Sequence, residues 1–403
     1  MNSYDYIIIG AGCAGLSLSY YLQRSEKLKG KKVLVLEKAP KTTNDRTWCF
    51  WTKRPTAFEE IVYKKWSKLD FISEGFRKQF DLNAYTYQQL RGLDFYHFIL
   101  HRIKAAPSFF MRYETVKNVQ NTAHGVRVQT SENHYEASVV FDSRIHWPEF
   151  HPAPPGKITL LQHFKGWKIK SATPVFSPET IRMFDFKLPQ KGQVRFVYLL
   201  PYSATEALVE FTVFSQKTLL DQEYNEQLKH YIQYALGIVK YQIEETEQGV
   251  IPMTNYPFAF HYTPCHIRIG TNAGFCKPSS GYTFLRIQHD CQQIVSNLET
   301  GQALQHHRKH SQKFRLYDTL MLDIMHRDGG QIATIFRHLF ENNSIEEIFS
   351  FLDEETSFVQ ELSIMASLPY FPFLKSLQNH VFNKLKNSAS PSKIIRRKKS
   401  IFD

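Results

Sequence analysis

The N-terminal stretch constrains the fold of this chain more than any other. An apolar run from Tyr6 to Ile9 is followed at once by Gly10-Ala11-Gly12-Cys13-Ala14-Gly15, a G-x-G-x-x-G pattern. A helical pattern then extends to Leu22, and a second apolar run ends in Glu37. Strand, glycine turn, helix, strand and acid in this order are typical of a βαβ unit that binds a dinucleotide. The alternative is a buried first strand with a tight turn in another type of α/β protein.

The residues of this unit have separate predicted roles. Gly10 permits the tight turn, Gly12 lets the backbone approach a pyrophosphate, and Gly15 lets the helix pack against the strand. The free N–H groups at the start of the helix favour the phosphates. Glu37, 22 residues after Gly15, is placed to accept hydrogen bonds from ribose hydroxyls. The predicted contacts are Gly10, Ala11, Gly12, Ala14, Gly15, Glu37 and Lys38. The motif alone does not distinguish FAD from NAD.

A second glycine-rich junction, far along the chain, favours FAD over NAD. An apolar run at Ile267 leads into the segment from Gly270 to Gly274, and Lys277 to Tyr282 precedes a predicted helix that ends at Glu299. Backbone N–H groups at such a junction suit the phosphate, ribityl or ring end of a flavin. The alternative is a helix start without a ligand. The predicted cofactor contacts here are Gly274, Ser280 and Gly281, to which we add Arg91.

The rest of the chain divides by its pattern. Helical spacing predicts a helix over Tyr87 to Ala105, and the proline-rich stretch Pro148 to Pro155 predicts a domain crossing. Strands are predicted between Ile158 and Met253, among them Thr173 to Phe176, and helices from Arg315 to Leu385. We therefore predict an α/β fold with the architecture of aromatic-hydroxylase-like flavoproteins. Its parts are a Rossmann-like FAD-binding domain (1–155 and 255–300), a β-sheet substrate domain (156–254), a helical C-terminal part (301–388) and a basic tail (389–403).

Charge is concentrated at the C-terminal end. The formal net charge is +12, and eight basic residues but no acidic one lie between Lys375 and Lys399. This distribution argues against a nucleic-acid-binding surface on the main part of the chain. It favours a basic segment at the C-terminal end. An amphipathic last helix with the polybasic run from Lys393 can dock on an anionic membrane surface. A packed last helix with a solvated tail is the alternative.

The cysteine and hydropathy patterns indicate the cellular compartment in which the protein is expected. The five cysteines are scattered and form no C-x-x-C pair. Neither disulfides nor a zinc or other metal site is predicted, which fits a reducing cytoplasm. The uncharged run from Tyr6 to Leu22 lacks the basic flank of a signal peptide. Outside it, no run of eighteen strongly apolar residues occurs, so no membrane span is expected.

Glu210 is the predicted general acid. Strands predicted over Val194 to Leu200 and Ala207 to Ser215 read as a hairpin-like pair. Period two places Glu210 on one face with Leu208, Thr212 and Phe214. A carboxyl among apolar neighbours keeps its proton near neutral pH, as a general acid requires. The alternatives are that this face meets water or that an arginine pairs with Glu210. Asp185, in another apolar run, is a second catalytic candidate, although strand-end aspartates often form turns.

In several motifs the chain resembles the bacterial-type lycopene cyclases, FAD-containing carotenoid cyclases, over nearly its whole length up to Leu374. Taken together and in order, the motifs are specific. They are Gly10 to Gly15 with Glu37, Thr47 to Phe50, Leu161 to Phe164, Tyr198 to Pro201, Leu208 to Thr212, Ile251 to Met253, Gly274 with Pro278 to Tyr282, and Ile364 to Pro369 with Pro372 to Leu374.

The resemblance implies an activity and a cofactor. The family converts the linear end groups of lycopene into rings without net oxidation or reduction, using reduced FAD with NAD(P)H as the source of electrons. β-type rings are expected, and the acid in the motif matched by Leu208 to Thr212 is catalytic, which carries over to Glu210. Plant relatives have two adjacent glutamates; Phe211 takes the second place here, so a double-acid arrangement is not expected.

The resemblance also bears on the C-terminal part and on location. Phe351 to Thr356 superficially resembles the plant motif, but we interpret it as a helix-surface charge cluster. The expected location is peripheral, on the inner face of the cell membrane. The alternative functions are another FAD-dependent isoprenoid reductase or aromatic hydroxylase of the same architecture, or a non-catalytic binding protein led by its basic tail.

Overall fold

The computed structural model describes residues 2–304 and 312–388. The strands up to residue 142 are β1 (Asn2–Ile9), β2 (Val33–Glu37), β3 (Thr47–Thr52), β4 (Lys64–Trp66), β5 (Lys68–Ser73), β6 (Phe76–Asp81), β7 (Thr86–Arg91), β8 (Phe109–Tyr113), β9 (Val116–Thr122), β10 (Gly125–Thr130) and β11 (His134–Asp142). The later strands are β12 (Thr159–Ser171), β13 (Thr180–Asp185), β14 (Val194–Pro201), β15 (Glu206–Ser215), β16 (Tyr241–Thr254), β17 (His261–Thr263) and β18 (His266–Arg268).

Three α-helices lie between groups of these strands, and α-helices make up most of the described chain after β18. The α-helices are α1 (Cys13–Arg24), α2 (Gly92–Ala105), α3 (Asp221–His230), α4 (Phe284–Thr300), α5 (Gln312–Asp328), α6 (Gln331–Asn342), α7 (Ile345–Leu352), α8 (Phe358–Ala366) and α9 (Tyr370–Ser388). The short 3₁₀ turns are Glu59–Ile61, Trp147–Glu149 and Gly270–Ala273, and Tyr231–Ala235 continues α3 as a π-helix.

The first sheet has a parallel core in the order β18-β11-β1-β2-β8. Its central strands are apolar on both faces because helices and loops cover them; Ile7 and Ile8 are fully buried. Ile9 pairs with Asp142 and Asp142 with Arg268, so three strands reach the same edge side by side. This register brings the first glycine turn and the second glycine-rich junction together, and the predicted Rossmann-like α/β fold is confirmed.

The second sheet has the order β16-β12-β15-β14-β13-β5-β6 and is antiparallel apart from the β13–β5 pair. One face packs on α3 and the π-helix that continues it, and the other packs partly on α5 to α7. Strands β5 and β6 come from the part of the chain that we predicted to belong to the FAD-binding domain. Residues 68–81, inside the predicted FAD-binding segment 1–155, thus pair into the second sheet, where Leu69 and Phe71 bury their side chains.

Two local predictions are wrong. The helix predicted from Tyr87 begins only at Gly92, because residues 86–91 pair with both β3 and β4. Thr173 to Phe176 forms no strand, and Pro174 lies in the middle of it.

The helical C-terminal part is confirmed as α5 to α9. Phe340 of α6 stacks on Phe71 of β5 with ring centroids 4.4 Å apart. Of the helices within residues 2–304 and 312–388, none is both long and apolar enough to cross a bilayer. The predicted basic tail, 389–403, lies outside the described residues.

Candidate active site

The first glycine turn depends on the absence of side chains at two positions. Gly10 has φ +97°, and a Cβ there would lie 2.2 Å from Ser143 Oγ. A Cβ on Gly15 would lie 1.9 Å from the carbonyl oxygen of Gly10. At Gly12, by contrast, a Cβ would meet nothing within 4 Å, and the residue lines a cavity. The turn is thus closed on the protein side and open where a pyrophosphate would approach.

Glu37 is held against this turn at the end of β2. Its carboxylate accepts hydrogen bonds from the backbone N–H groups of Ala11, at 2.7 Å, and Lys38, at 2.9 Å. The side chain of Lys38 is exposed, whereas Lys41 lines the cavity and places its Nζ 3.7 Å from Glu37. Lys41, which the sequence interpretation missed, is therefore better placed than Lys38 to face a bound phosphate.

The second glycine junction packs directly on the first. Gly270 has φ +63°, and a Cβ there would lie 2.5 Å from the Cβ of Ala14. Gly281 has φ +74° and lies so close to Gln162 that a Cβ would come within 2.0 Å of its Oε1. Gly274 ends the 3₁₀ turn in the left-handed conformation. Gly12, Ala14, Ser280 and Gly281 therefore line one cavity, while Gly10, Gly15 and Gly274 shape the backbone behind it.

The segment after α7 anchors the second junction. Lys277 is buried and forms ion pairs with Glu354 at 2.7 Å and Asp318 at 3.3 Å. Asp353 accepts a hydrogen bond from Trp51 Nε1 at 2.8 Å. The prediction of a helix-surface charge cluster is wrong for Glu354, because the chain turns after Leu352 and directs this carboxylate inward towards Lys277.

The cavity, of about 360 Å³, runs between the two sheets. Gln162 Oε1 and Ser280 Oγ lie in its wall, buried and without a hydrogen-bond partner among the described side chains. Buried polar atoms are normally paired, so these two point to a polar ligand. The open Gly12 and the two facing glycine loops supply the matching backbone. These residues fit a flavin dinucleotide.

Aromatic side chains form much of the remaining wall. The hydroxyls of Tyr87 and Tyr282 are 3.1 Å apart, and Trp48, Phe164 and Tyr198 also line the cavity. Burial raises the pKa values of the hydroxyls of Tyr87, Tyr198 and Tyr282, so these groups stay neutral. The wall is apolar and rich in π-electrons, as a shield around a cation requires.

Glu210 faces this cavity from β15. Ala207, Val209, Phe211 and Val213 turn to the other face and pack against α3, as period two predicted. Glu210 pairs across the sheet with Tyr198 on one side and Gly166 on the other, and Thr212 donates a hydrogen bond to its Oε1 at 2.9 Å. This face lines the cavity. Arg46 also lies in the cavity wall, but its charge acts on Glu247, and the neighbouring charge that acts on Glu210 is that of Glu247.

A second carboxyl lies beyond Gly166. Glu247 of β16 pairs with Gly166, so Glu247, Gly166 and Glu210 form one row across three strands. Thr47 donates a hydrogen bond to Glu247 Oε2 at 2.5 Å. The expectation that no double-acid arrangement exists is therefore wrong, because the second acid comes from across the sheet. The missed signal was Gly166, since a lone glycine within a strand marks a close approach.

The two carboxyls shift each other's acidity. Burial raises the pKa of Glu210 well above its ordinary value, and the neighbouring charge of Glu247 raises it further. Burial also raises the pKa of Glu247, while the hydrogen bonds from Thr47 and from Glu210 oppose the rise. Both pKa values are thus raised, and Glu210 is the carboxyl whose rise is increased by the charge of its partner.

Asp185 and Arg91 lie elsewhere. Asp185 is on the α3 face of the second sheet, where it accepts hydrogen bonds from the Tyr231 hydroxyl at 2.6 Å and the Lys187 N–H at 3.0 Å. Arg91 precedes α2 and lines a small neighbouring cavity, with Glu245 at 3.7 Å. The structure brings neither residue to the wall that Glu210 shares with the glycine loops.

A family model described as "Lycopene cyclase protein" matches residues 5–378. The chain belongs to the lycopene cyclase family. Two relatives carry the name lycopene beta-cyclase. The protein from Paracoccus sp. (strain N81106 / MBIC 01143) is 29% identical over 37% of this chain, and the match spans only 38% of its own length. The protein from Pantoea ananas is 25% identical over 70% of this chain and 71% of its own length.

Solved structures extend the fold comparison beyond the lycopene cyclase family. A geranylgeranyl bacteriochlorophyll reductase-like protein from Thermoplasma acidophilum superposes with a TM-score of 0.59 at 14% identity, over 94% of this chain and 100% of the other. A probable FAD-dependent monooxygenase from Pseudomonas aeruginosa gives 0.54 at 15% identity, over 88% and 100%. At these identities the comparison shows the fold alone, which is that of FAD-dependent monooxygenases and reductases.

Proposed function

We propose that this chain is an enzyme, a lycopene beta-cyclase that closes the linear end groups of lycopene into β-rings by acid catalysis, with bound reduced FAD and NAD(P)H as the electron source. One observation carries the proposal. Glu210, a carboxyl with a raised pKa, faces the cavity whose far end is formed by both glycine loops. The family and the names of both relatives support lycopene as the substrate and β as the ring type.

The residues that would hold FAD are those of the two loops. Gly12 and the N-terminus of α1 would face the pyrophosphate, Glu37 the ribose, and Ser280 and Gly281 the ring end. Bound reduced flavin would supply electron density that stabilises positive charge without being consumed.

The reaction needs one proton and returns it. Protonated Glu210 donates to the terminal double bond of an end group, and the electrons of a neighbouring double bond close the ring. Loss of a ring-adjacent proton then gives the cyclic alkene, so the product has the mass of the substrate. The aromatic wall would exclude water, which would otherwise add to the cation.

The test is an anaerobic incubation of purified protein with FAD, NADPH and lycopene, followed by identification of the carotenoids. We expect cyclic products of unchanged mass. Unchanged lycopene with a fully flavinated protein would overturn the proposal. A product heavier by oxygen would instead identify a hydroxylase, and one heavier by hydrogen a reductase. The control is Glu244→Gln, a change at the protein surface, which should leave the products unchanged.

We also propose that α8 and α9 dock on an anionic membrane surface. Large apolar side chains are exposed along both helices, including Phe371 (70% exposed) and Leu374 (51%). The exposed set is Phe358, Val359, Leu362, Tyr370, Phe371, Leu374, Leu377, Val381, Phe382 and Leu385. Exposed apolar patches of this kind mark interaction sites, and the basic residues around them favour anionic lipid.

Vesicle sedimentation tests this docking. We expect binding to phosphatidylglycerol vesicles, weaker binding to phosphatidylcholine, and loss of binding in Phe371→Ser/Leu374→Ser. Binding by this double variant equal to that of the parent would rule out the apolar face as the docking surface.

A further inference from the structure

We propose that Glu247 is a positioning residue for Glu210, and that the two carboxyls hold a single proton between them above Gly166. This inference rests on the proposed function of Glu210. It adds the residue that keeps this general acid protonated.

The first support is the register of three strands. Glu210 on β15 and Glu247 on β16 both pair with Gly166 on β12, which lies between them. Two residues separated by a whole strand are about 10 Å apart at the backbone, so they meet only by leaning over the residue between. A Cβ on Gly166 would lie 3.1 Å from Glu247 Cγ and 3.3 Å from its Oε1. The side chain of Glu247 therefore occupies the space that the glycine leaves.

The second support is the hydrogen bonding of the pair. Glu247 Oε2 is satisfied by Thr47, and Glu210 Oε1 by Thr212. Glu247 Oε1 is buried and, within the part of the chain that the structure describes, meets no conventional donor. Glu210 and Glu247 flank Gly166 in the same row of the sheet, and the charge of Glu247 raises the pKa of Glu210. A protonated Glu210 is the donor that this oxygen lacks, whereas two ionised carboxylates would repel each other there.

The surroundings favour the proton on Glu210. Thr47 and the nearby positive charge of Arg46 stabilise the ionised form of Glu247, and Glu245 opposes them. Glu210 faces Cys49, Tyr87 and Tyr198, whose pKa values are all raised by burial, so these neighbours are neutral. The arrangement is a carboxylic acid hydrogen-bonded to a carboxylate.

The shared proton balances the reaction. Glu210 passes its proton to the less substituted carbon of the terminal double bond, which leaves a tertiary cation on the outer carbon. The electrons of the second double bond form the C–C bond to this carbon and close the ring, and both carboxylates then face the cation. The proton lost from the ring carbon next to the cation returns to the pair. No oxidant, reductant or net acid is consumed, and the added negative charge stabilises the cationic stage.

Infrared titration of the carboxyl group tests the pair without using lycopene. The difference between the parent protein and Glu210→Gln isolates the carbonyl band of protonated Glu210. In Glu247→Gln, which keeps an acceptor for Thr47 but removes the charge, we expect the midpoint of this band to move to lower pH by about one unit or more. Glu244→Gln removes a charge from the same strand without reaching Glu210 and should leave the midpoint unchanged.

An unchanged midpoint in Glu247→Gln would overturn the inference, as would the absence of a protonated Glu210 band near neutral pH. If Glu247→Gln fails to fold, Glu247→Asp withdraws the carboxylate from Glu210 and is expected to move the midpoint in the same direction. Cyclisation should fail at a lower pH in Glu247→Gln than in the parent, with KM unchanged. A shifted midpoint in a protein that cyclises nothing would leave the pair standing and remove the proposed function.

Discussion

Glu210 and Asp185 are both acids on apolar strands of the same sheet, yet their surroundings differ. Asp185 is the more buried of the two, with 3% exposure. It accepts hydrogen bonds from Tyr231 and Lys187 and lies 3.6 Å from Arg182, so its charge is satisfied. Glu210 has another carboxyl, that of Glu247, as its neighbour, and it faces the cavity. The partners of a buried acid thus matter more than its depth, because the charge of Glu247 adds to the rise in the pKa of Glu210.

The largest effect should come from Glu210→Gln. Gln cannot donate a proton to the substrate, and general acids contribute about 100- to 10 000-fold to the rate. We expect a loss of kcat in this range, measured under anaerobic conditions with flavin content matched. Asp185→Asn, normalised to folded protein, should retain the parent kcat. Equal losses in the two variants would break the comparison.

Gly166→Val should have the next largest effect. The branched side chain fills the space that Glu247 now occupies, so the second carboxyl moves away from Glu210. We expect kcat at neutral pH to fall about tenfold, which corresponds to about 1.4 kcal/mol. Gly166→Ala is the graded control, because its single carbon needs only a small shift of Glu247 and Leu208. A larger loss in the alanine variant than in the valine variant would contradict this reasoning.

Asp185→Asn should reduce stability while sparing activity. Arg182 would lose its charged partner, and hydrogen bonds to charged groups contribute about 1.5–3 kcal/mol. We expect Tm to fall by about 3 °C or more, followed by circular dichroism during heating. An unaltered Tm together with a reduced kcat would show that Asp185 acts in the chemistry after all.

The smallest expected effect is that of Glu210→Gln on thermal stability, measured as Tm at several pH values. A raised pKa means that the folded protein binds this proton more tightly than the unfolded chain does. The contribution of Glu210 to the free energy of unfolding is then greatest in acid. It declines as pH rises through the interval between the ordinary and the raised pKa of this carboxyl. Glu210→Gln removes this dependence, so its Tm should exceed that of the parent at neutral and alkaline pH by about 2 °C, and match it in acid. A Tm below that of the parent at every pH would argue against the raised pKa.

Sequence patterns within single segments were enough to predict the parts of the site that each segment forms by itself. The βαβ unit, the glycine-rich form of each junction, and the side of β15 that carries Glu210 all follow from runs of neighbouring residues. Phe211 shows the limit of such reasoning. It occupies the place of the second glutamate of the plant motif, and the sequence therefore predicts no double acid. Adjacent strand residues point to opposite faces, however, and Phe211 is packed beneath α3.

Long-range pairing decided the rest. Glu247 lies 37 residues after Glu210, and only the pairing of β12 with both β15 and β16 brings them together. The helical spacing of residues 87–105 predicts that Arg91 lies near the start of a helix, but β3 and β4 pair with the first five of these residues and hold them in a sheet. Sequence spacing carries no information about which distant strand will compete for a segment.

The ion pairs of Lys277 tie the second glycine loop to helices that come later in the chain. Asp318 belongs to α5, and Glu354 follows α7. A shortened chain ending before Gln312 would leave a buried ammonium without these counter-charges, and an uncompensated buried charge costs about 3–5 kcal/mol. The first sheet with its two glycine loops is therefore not a detachable module, because its second loop is completed by residues that the ribosome adds after the whole first sheet has been made.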